Sequence, residues 1–266
     1  MKNNSSTSKF RALAVIIVII AVLALGSVAF VEIMKRSDIP TVDLPEETVT
    51  DAALDTQKSP TTTGQCGEKA YYVYDESGNT LTITGSGAIW DAGDVEDVDF
   101  WGEIGSKVKI LKISSGITEV GAYSLQSLDR VEEIYISETV QALSGQVGGT
   151  AVSWSDYLVK IVVDANNKNY FSDEKGVLYN KDKTEIIQYP IGSEEASYEV
   201  LDTVKKVGSA AFADCVNLKA VSLPESVEEI EQDAFMSCSD ELVIRCVENS
   251  AAHEFAVANK IKIELV

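Results

Sequence analysis

The chain is short of the residues that do chemistry at neutral pH. It has one histidine, His253, and four cysteines, Cys66, Cys215, Cys238 and Cys246, among 266 residues. No Cys-x-x-Cys pair offers zinc-ligand spacing, and no Gly-x-Ser-x-Gly or phosphate-loop pattern occurs. Catalytic, cofactor and metal residues are therefore expected to be none. A carboxylate pair of the glycosidase kind is the one enzymatic alternative, because acids are plentiful. Bases are also scarce: 22 against 42 acids leaves a net charge of −20. Such a surface repels phosphate backbones, which excludes nucleic acid as a partner. Basic proteins, cations and neutral glycans remain. Of only five prolines, three (Pro40, Pro45 and Pro60) fall in one stretch.

Charge is missing altogether from Ala12 to Val31, ALAVIIVIIAVLALGSVAFV. Twenty apolar residues in a helix span about 30 Å, the depth of a bilayer core. Residues 1–11 carry Lys2, Lys9 and Arg11 and no acid, and Lys35 and Arg36 follow the span. The pattern reads as a cytoplasmic tail at 1–11 and a single-pass signal anchor at 12–31, with the remainder outside the cell membrane. A signal peptide cut near Ser27-Val28-Ala29, releasing a secreted protein, is the alternative. The tail is too short to house a signalling domain. Residues 32–65, with their prolines, the Thr61–Thr63 run and dispersed acids, read as an extended linker.

The rest of the chain repeats itself. Shifted by 23, Val200 falls on Leu223, Val204 on Val227, Val207 on Ile230, Ala211 on Ala234, Phe212 on Phe235 and Cys215 on Cys238. Leu111, Ile113, Ile117 and Val120 recur as Ile134, Ile136, Val140 and Leu143 at the same interval. A fixed period of this length signals a solenoid, whose units bury their apolar faces only against their neighbours. Coils are expected near 108–130, 131–150, 158–175, 198–217 and 218–240, with a partial sixth at Leu242–Cys246. Each opens with the period-2 alternation of a strand. Phe212 and Phe235 should stand one above the other, with Leu125 in the equivalent place. Gly121 and Gly208 are expected where the chain turns sharply.

Both ends of such a column need covers. Residues 66–105 supply one: Ala70–Tyr74 and Thr80–Thr84 flank a Gly- and Asn-bearing turn and read as a capping hairpin. Trp90 and Trp101 are expected as core filler, with a sugar-stacking platform of these and the three tyrosines as the alternative. The acids of loop 91–99 are expected to be solvated rather than to hold calcium, because no EF-hand spacing is present. At 249–266, Ser250 caps a short helix whose Ala251, Ala252, Phe255 and Ala256 share a face. His253 belongs to that capping helix. Residues 176–190 read as strand, polar turn and strand, a projecting hairpin inserted in the third coil. A harmless elaboration is favoured over a binding loop. Cys215 and Cys238 stack in principle, but Leu128 takes the same place in another coil, so buried free thiols are expected.

The pattern Leu-x-x-Val-x-Leu-Pro-x-x-Val-x-x-Ile-x-x-x-Ala-Phe-x-x-Cys from Leu218 to Cys238 resembles the repeat of BspA-like leucine-rich-repeat surface proteins of bacteria. The opening from Cys66, CGEKAYYVYDESGNTLTITGSGAIWD, and the insert GVLYNKDKTEIIQYP resemble that family's N-terminal cap and hairpin. The resemblance implies an α/β leucine-rich-repeat solenoid over 106–266, β-rich with little helix. It also implies a non-catalytic extracytoplasmic module that adheres to a protein or glycan, with a passive envelope scaffold as the alternative, and brings no ligand-binding residues to name. The first coil departs from it at Leu125 and Leu128. The second replaces Ala-Phe with Ser144–Gly149 and is expected to be irregular.

Overall fold

The computed structural model describes residues 61–91, 101–143 and 155–266. The span at 12–31, the acids beyond Asp91 in loop 91–99 and the Ser144–Gly149 irregularity lie outside them. Among the described residues no helix is long and apolar enough to cross a membrane.

The column opens with an antiparallel meander of β1 (Thr61–Gln65), β2 (Ala70–Asp75) and β3 (Thr80–Gly85). The β2–β3 turn is held by Asp75, which accepts hydrogen bonds from Ser77 N–H and Oγ–H. Asn79 there takes the left-handed φ of 46° that asparagine tolerates. The expected linker bounds are corrected at their end, where residues 61–65 are a strand. Thr61–Gln65 is a strand on the meander's edge, because β-branched threonines suit an exposed strand whose partner is supplied by β2.

From β3 onward the ladder is parallel: β5 (Ile110–Ile113), β7 (Glu133–Ile136) and β9 (Lys160–Val163) follow in order. Leu111 pairs with Ile134 and Ile113 with Ile136, the 23-residue frame of the sequence. Ile134 pairs with Ile161, so the next coil is four residues longer. A second ladder runs along another side of the same coils through β4 (Gly87–Ile89), β6 (Ile117–Val120) and β8 (Ala142–Leu143).

The insert does not project. β10 (Tyr170–Ser172), β11 (Leu178–Asn180) and β12 (Glu185–Gln188) form a meander, and β12 continues in parallel into β14 (Lys206–Val207) and β16 (Glu229–Ile230). Val177, Leu178, Tyr179 and Ile186 are fully buried. The hairpin has apolar side chains on both faces, which forces it into the column instead of onto its surface. Beside it, β13 (Ser197–Glu199), β15 (Ala220–Ser222), β17 (Val243–Cys246) and β18 (Lys262–Leu265) make the fourth sheet. Helix α1 (Ala251–Asn259) links the last two strands. Ser250 Oγ caps it by accepting from His253 N–H, and Ala252 and Ala256 are buried.

The interior is not one continuous cluster. One buried group runs from Cys66 to Leu178 and a second from Val177 to Ala256. Val177 and Leu178 are neighbours in the chain but sit in different clusters, so the insert forms the wall between two stacks of coils.

The repeat glycines have a reason other than a turn. Neither Gly121 nor Gly208 has a left-handed φ. A Cβ on Gly121 would lie 2.6 Å from Asp91 N and 2.7 Å from Ile89 O, and one on Gly208 would lie 3.0 Å from Ile186 O. Coils approach too closely there for a side chain. The left-handed corners are taken by Tyr123, Ala210, Asp214 and Ser237.

Candidate functional site

Alternation along the strands sorts the aromatic residues of the cap. Tyr74 and Trp101 are buried, and Tyr72 packs on Trp101 with ring centroids 5.4 Å apart. Trp101 Nε1–H donates to Ser124 O at 2.6 Å. Of the three tyrosines only Tyr71 is exposed. Tyr74 and Trp101 fill the core, and among the described residues the cap shows no continuous stacking platform.

The outer face of the first sheet is open. Its register lines up Val73, Thr82, Lys112, Tyr135 and Val162 across five strands. Lys112 Nζ lies 5.8 Å from the centre of the Tyr135 ring, whose hydroxyl donates to Glu133 at 2.6 Å. That row is mixed polar and apolar, as a contact surface is. The 23-residue frame also sets opposite charges one above another on exposed faces: Lys109 reaches Glu132 at 2.7 Å and Lys205 reaches Glu228 at 2.9 Å.

A surface groove lies at the other end. A groove of about 660 Å³ is bounded by Glu231, Asp233, Phe235, Met236, Phe255 and Ile261, among others. Its floor is the end of an aromatic stack. Phe212 lies 5.4 Å from Tyr189 and 4.8 Å from Phe235, the two phenylalanine rings within 2° of parallel, and Phe235 meets Phe255 at 5.8 Å. The expected pair is thus part of a longer column. Its rim is acidic. Glu231 pairs with Lys206 at 2.6 Å, and Asp233 accepts from Ser209 Oγ–H and Ala210 N–H. Hydrogen bonds from Lys206 to Glu231 and Glu229 raise the lysine's pKa.

Sequence reasoning missed this groove. Its signal was present: the frame that carries Phe212 to Phe235 next lands on Ala258, within α1. The coil therefore gives way to a helix there.

The four cysteines are free thiols. Burial pushes Cys66 up to about 12 and Cys238 up to about 11, which makes them inert filler rather than nucleophiles. Cys238 Sγ–H donates to Phe212 O at 3.0 Å. His253 accepts from Asn249 N–H through Nδ1 at the start of α1. Among the described residues no group of three His, Cys, Asp or Glu side chains is placed to hold a metal ion.

Residues 193–260 match the family model of the BspA type leucine rich repeat region. This stretch is similar to the BspA-type leucine-rich repeat. The matched stretch lies within the second stack of coils, where Phe212, Phe235, Cys215 and Cys238 fill their repeat positions. The first stack keeps the ladder but has Leu125 and Leu128 there. No curated protein matches the chain in sequence. Among solved structures, a leucine-rich repeat protein from Eubacterium ventriosum ATCC 27560 is similar with a TM-score of 0.41 and 21% identity, over 72% of this chain and 67% of that one. The pneumococcal vaccine antigen PcpA follows at a TM-score of 0.36 and 15% identity, over 70% and 81%. A leucine rich cell surface protein from Faecalibacterium prausnitzii A2-165 gives 0.32 and 14%, over 71% and 77%.

Proposed function

We propose that the protein is a membrane-tethered repeat module that binds a protein or glycan outside the cell and performs no catalysis. The observation that carries the reading is the open outer face of the first sheet, five strands wide. A stack of coils holds Thr82, Lys112, Tyr135 and Val162 in fixed register. Rigid arrays of this kind present side chains at set spacing without paying to order a loop. The net charge of −20 favours neutral or basic partners. The uncharged run at 12–31 supports a single-pass anchor with the repeats on the outer side.

Residues 57–266 form one compact unit, which suits them as a probe of glycan and matrix-protein arrays. Binding that is lost in Tyr135→Ala with Lys112→Ala supports the reading, and a blank array overturns it. For the tether, cell fractionation is expected to find the intact N-terminus in membranes. A mature product beginning near Phe30 would overturn it.

A further inference from the structure

In the second stack the corners of successive coils are joined by a small set of backbone hydrogen bonds. Tyr189 N–H donates to Ala211 O at 2.7 Å, Phe212 N–H to Ala234 O at 2.8 Å and Asp214 N–H to Met236 O at 2.9 Å. The coil of Phe212 thus offers two N–H groups, at positions two apart, to two carbonyls of the coil above, and the coil of Tyr189 offers one. The last full coil offers the same pair. Phe235 N–H and Ser237 N–H have no hydrogen-bond acceptor among the described residues. Helix α1 follows in place of a further coil, and neither amide donates to any of its carbonyls. The groove adjoins this place: Phe235 and Met236 are in its wall, Met236 is exposed, and Glu231 and Asp233 stand on its rim.

We infer that this groove docks an extended peptide segment of a partner protein. Two carbonyls of the segment, two residues apart, accept from Phe235 N–H and Ser237 N–H. An apolar side chain lies on Phe235, Phe255 and Ile261, and flanking basic side chains face Glu231 and Asp233. The donors require a ligand with paired carbonyls, as an extended peptide has and a lone cation lacks. The acidic rim rejects free anions, which two N–H groups would otherwise attract. It also disfavours a second copy of this chain, given the net charge of −20. The inference deepens the binding reading by naming one site and one partner chemistry.

The test uses the full-length chain in detergent micelles and two synthetic octapeptides, one alternating valine with lysine and one alternating valine with glutamate. Amide exchange is followed by NMR. The valine–lysine peptide is expected to slow exchange at Phe235 and Ser237 by about tenfold or more, and the valine–glutamate peptide to leave both unchanged. The double variant Glu231→Gln, Gln232→Lys removes one negative charge from the rim and adds one positive charge, and should weaken binding by about tenfold, or about 1.4 kcal/mol. Met236→Ala retains the fold and should weaken it less. Absence of binding at about 1 mM peptide overturns the inference. So does binding that leaves the two amides unprotected, or equal binding of the two peptides. Array binding that survives the charge variant would leave the general module intact while removing this site.

Discussion

Phe212 is held between Tyr189 and Phe235, and no part of it reaches solvent. Phe212→Ala is expected to cost about 3–5 kcal/mol, read as a fall in the urea midpoint. Asn167 is a different kind of core residue. Its Nδ2 donates to Ser137 O and Val140 O, and its Oδ1 accepts from Asn169 N–H and Tyr170 N–H. Ser137 O also accepts from Val140 N–H, so replacing Asn167 with alanine orphans the other three backbone groups, at about 1–3 kcal/mol for each that water cannot reach. The buried thiols and phenols set the response to alkali. Burial raises Cys66 from 9.0 to about 12 and Tyr189 from 10.0 to about 12. Below about pH 9 both states are protonated and these groups leave stability unchanged. Above it the unfolded chain loses protons first. Each group then lowers unfolding free energy by about 1.4 kcal/mol per pH unit until its folded pKa is reached. Urea titrations from pH 7 to 11 should show a plateau followed by that decline.

At the scale of elements, the insert is fastened by a small, partly buried network. Tyr198 donates to Asp173 Oδ2 at 2.5 Å and is hydrogen-bonded to Tyr179, while Asp173 Oδ1 accepts from Lys175 N–H and Val177 N–H. Asp173→Ala should loosen β10–β12 ahead of the remaining strands, seen as faster amide exchange there. The exposed rungs behave otherwise. Lys205→Ala removes the pair with Glu228 and should change stability by less than about 1 kcal/mol, because both side chains are solvated. The regular strands were legible in the sequence because a 23-residue apolar frame translates directly into ladder register. Ser250, Phe212 over Phe235 and the core role of Trp101 followed from the same kind of pattern. The insert was misjudged because Lys181–Lys183 mark a turn, whereas the burial of Tyr179 and Ile186 depends on which neighbours they meet. β1 was missed because an edge strand of threonine and glycine has no apolar period to display. The groove was missed because the break of the frame at Ala258 marks only where the coils end, and side-chain pattern does not record which backbone groups are left without partners.

On the scale of the whole molecule, the two buried clusters meet at Val177 and Leu178. Repeat arrays are stabilised by nearest-neighbour interfaces, so damage stays near its source unless the interface is strong. Phe212→Ala should therefore speed exchange throughout β13–β18 by a larger factor than in β2–β7. An equal change in both halves would mean that the wall couples them into a single cooperative unit. A further consequence lies in the constancy of the register. Ser197, Ala220 and Val243 are successive partners at intervals of 23, as are Lys206 and Glu229 in the neighbouring sheet. Duplicating one such interval would advance every downstream side chain by one rung, about 4.8 Å, while returning it to the same face. The reach of the molecule is thus adjustable in discrete steps, and its length can change by whole rungs with neither cap redesigned.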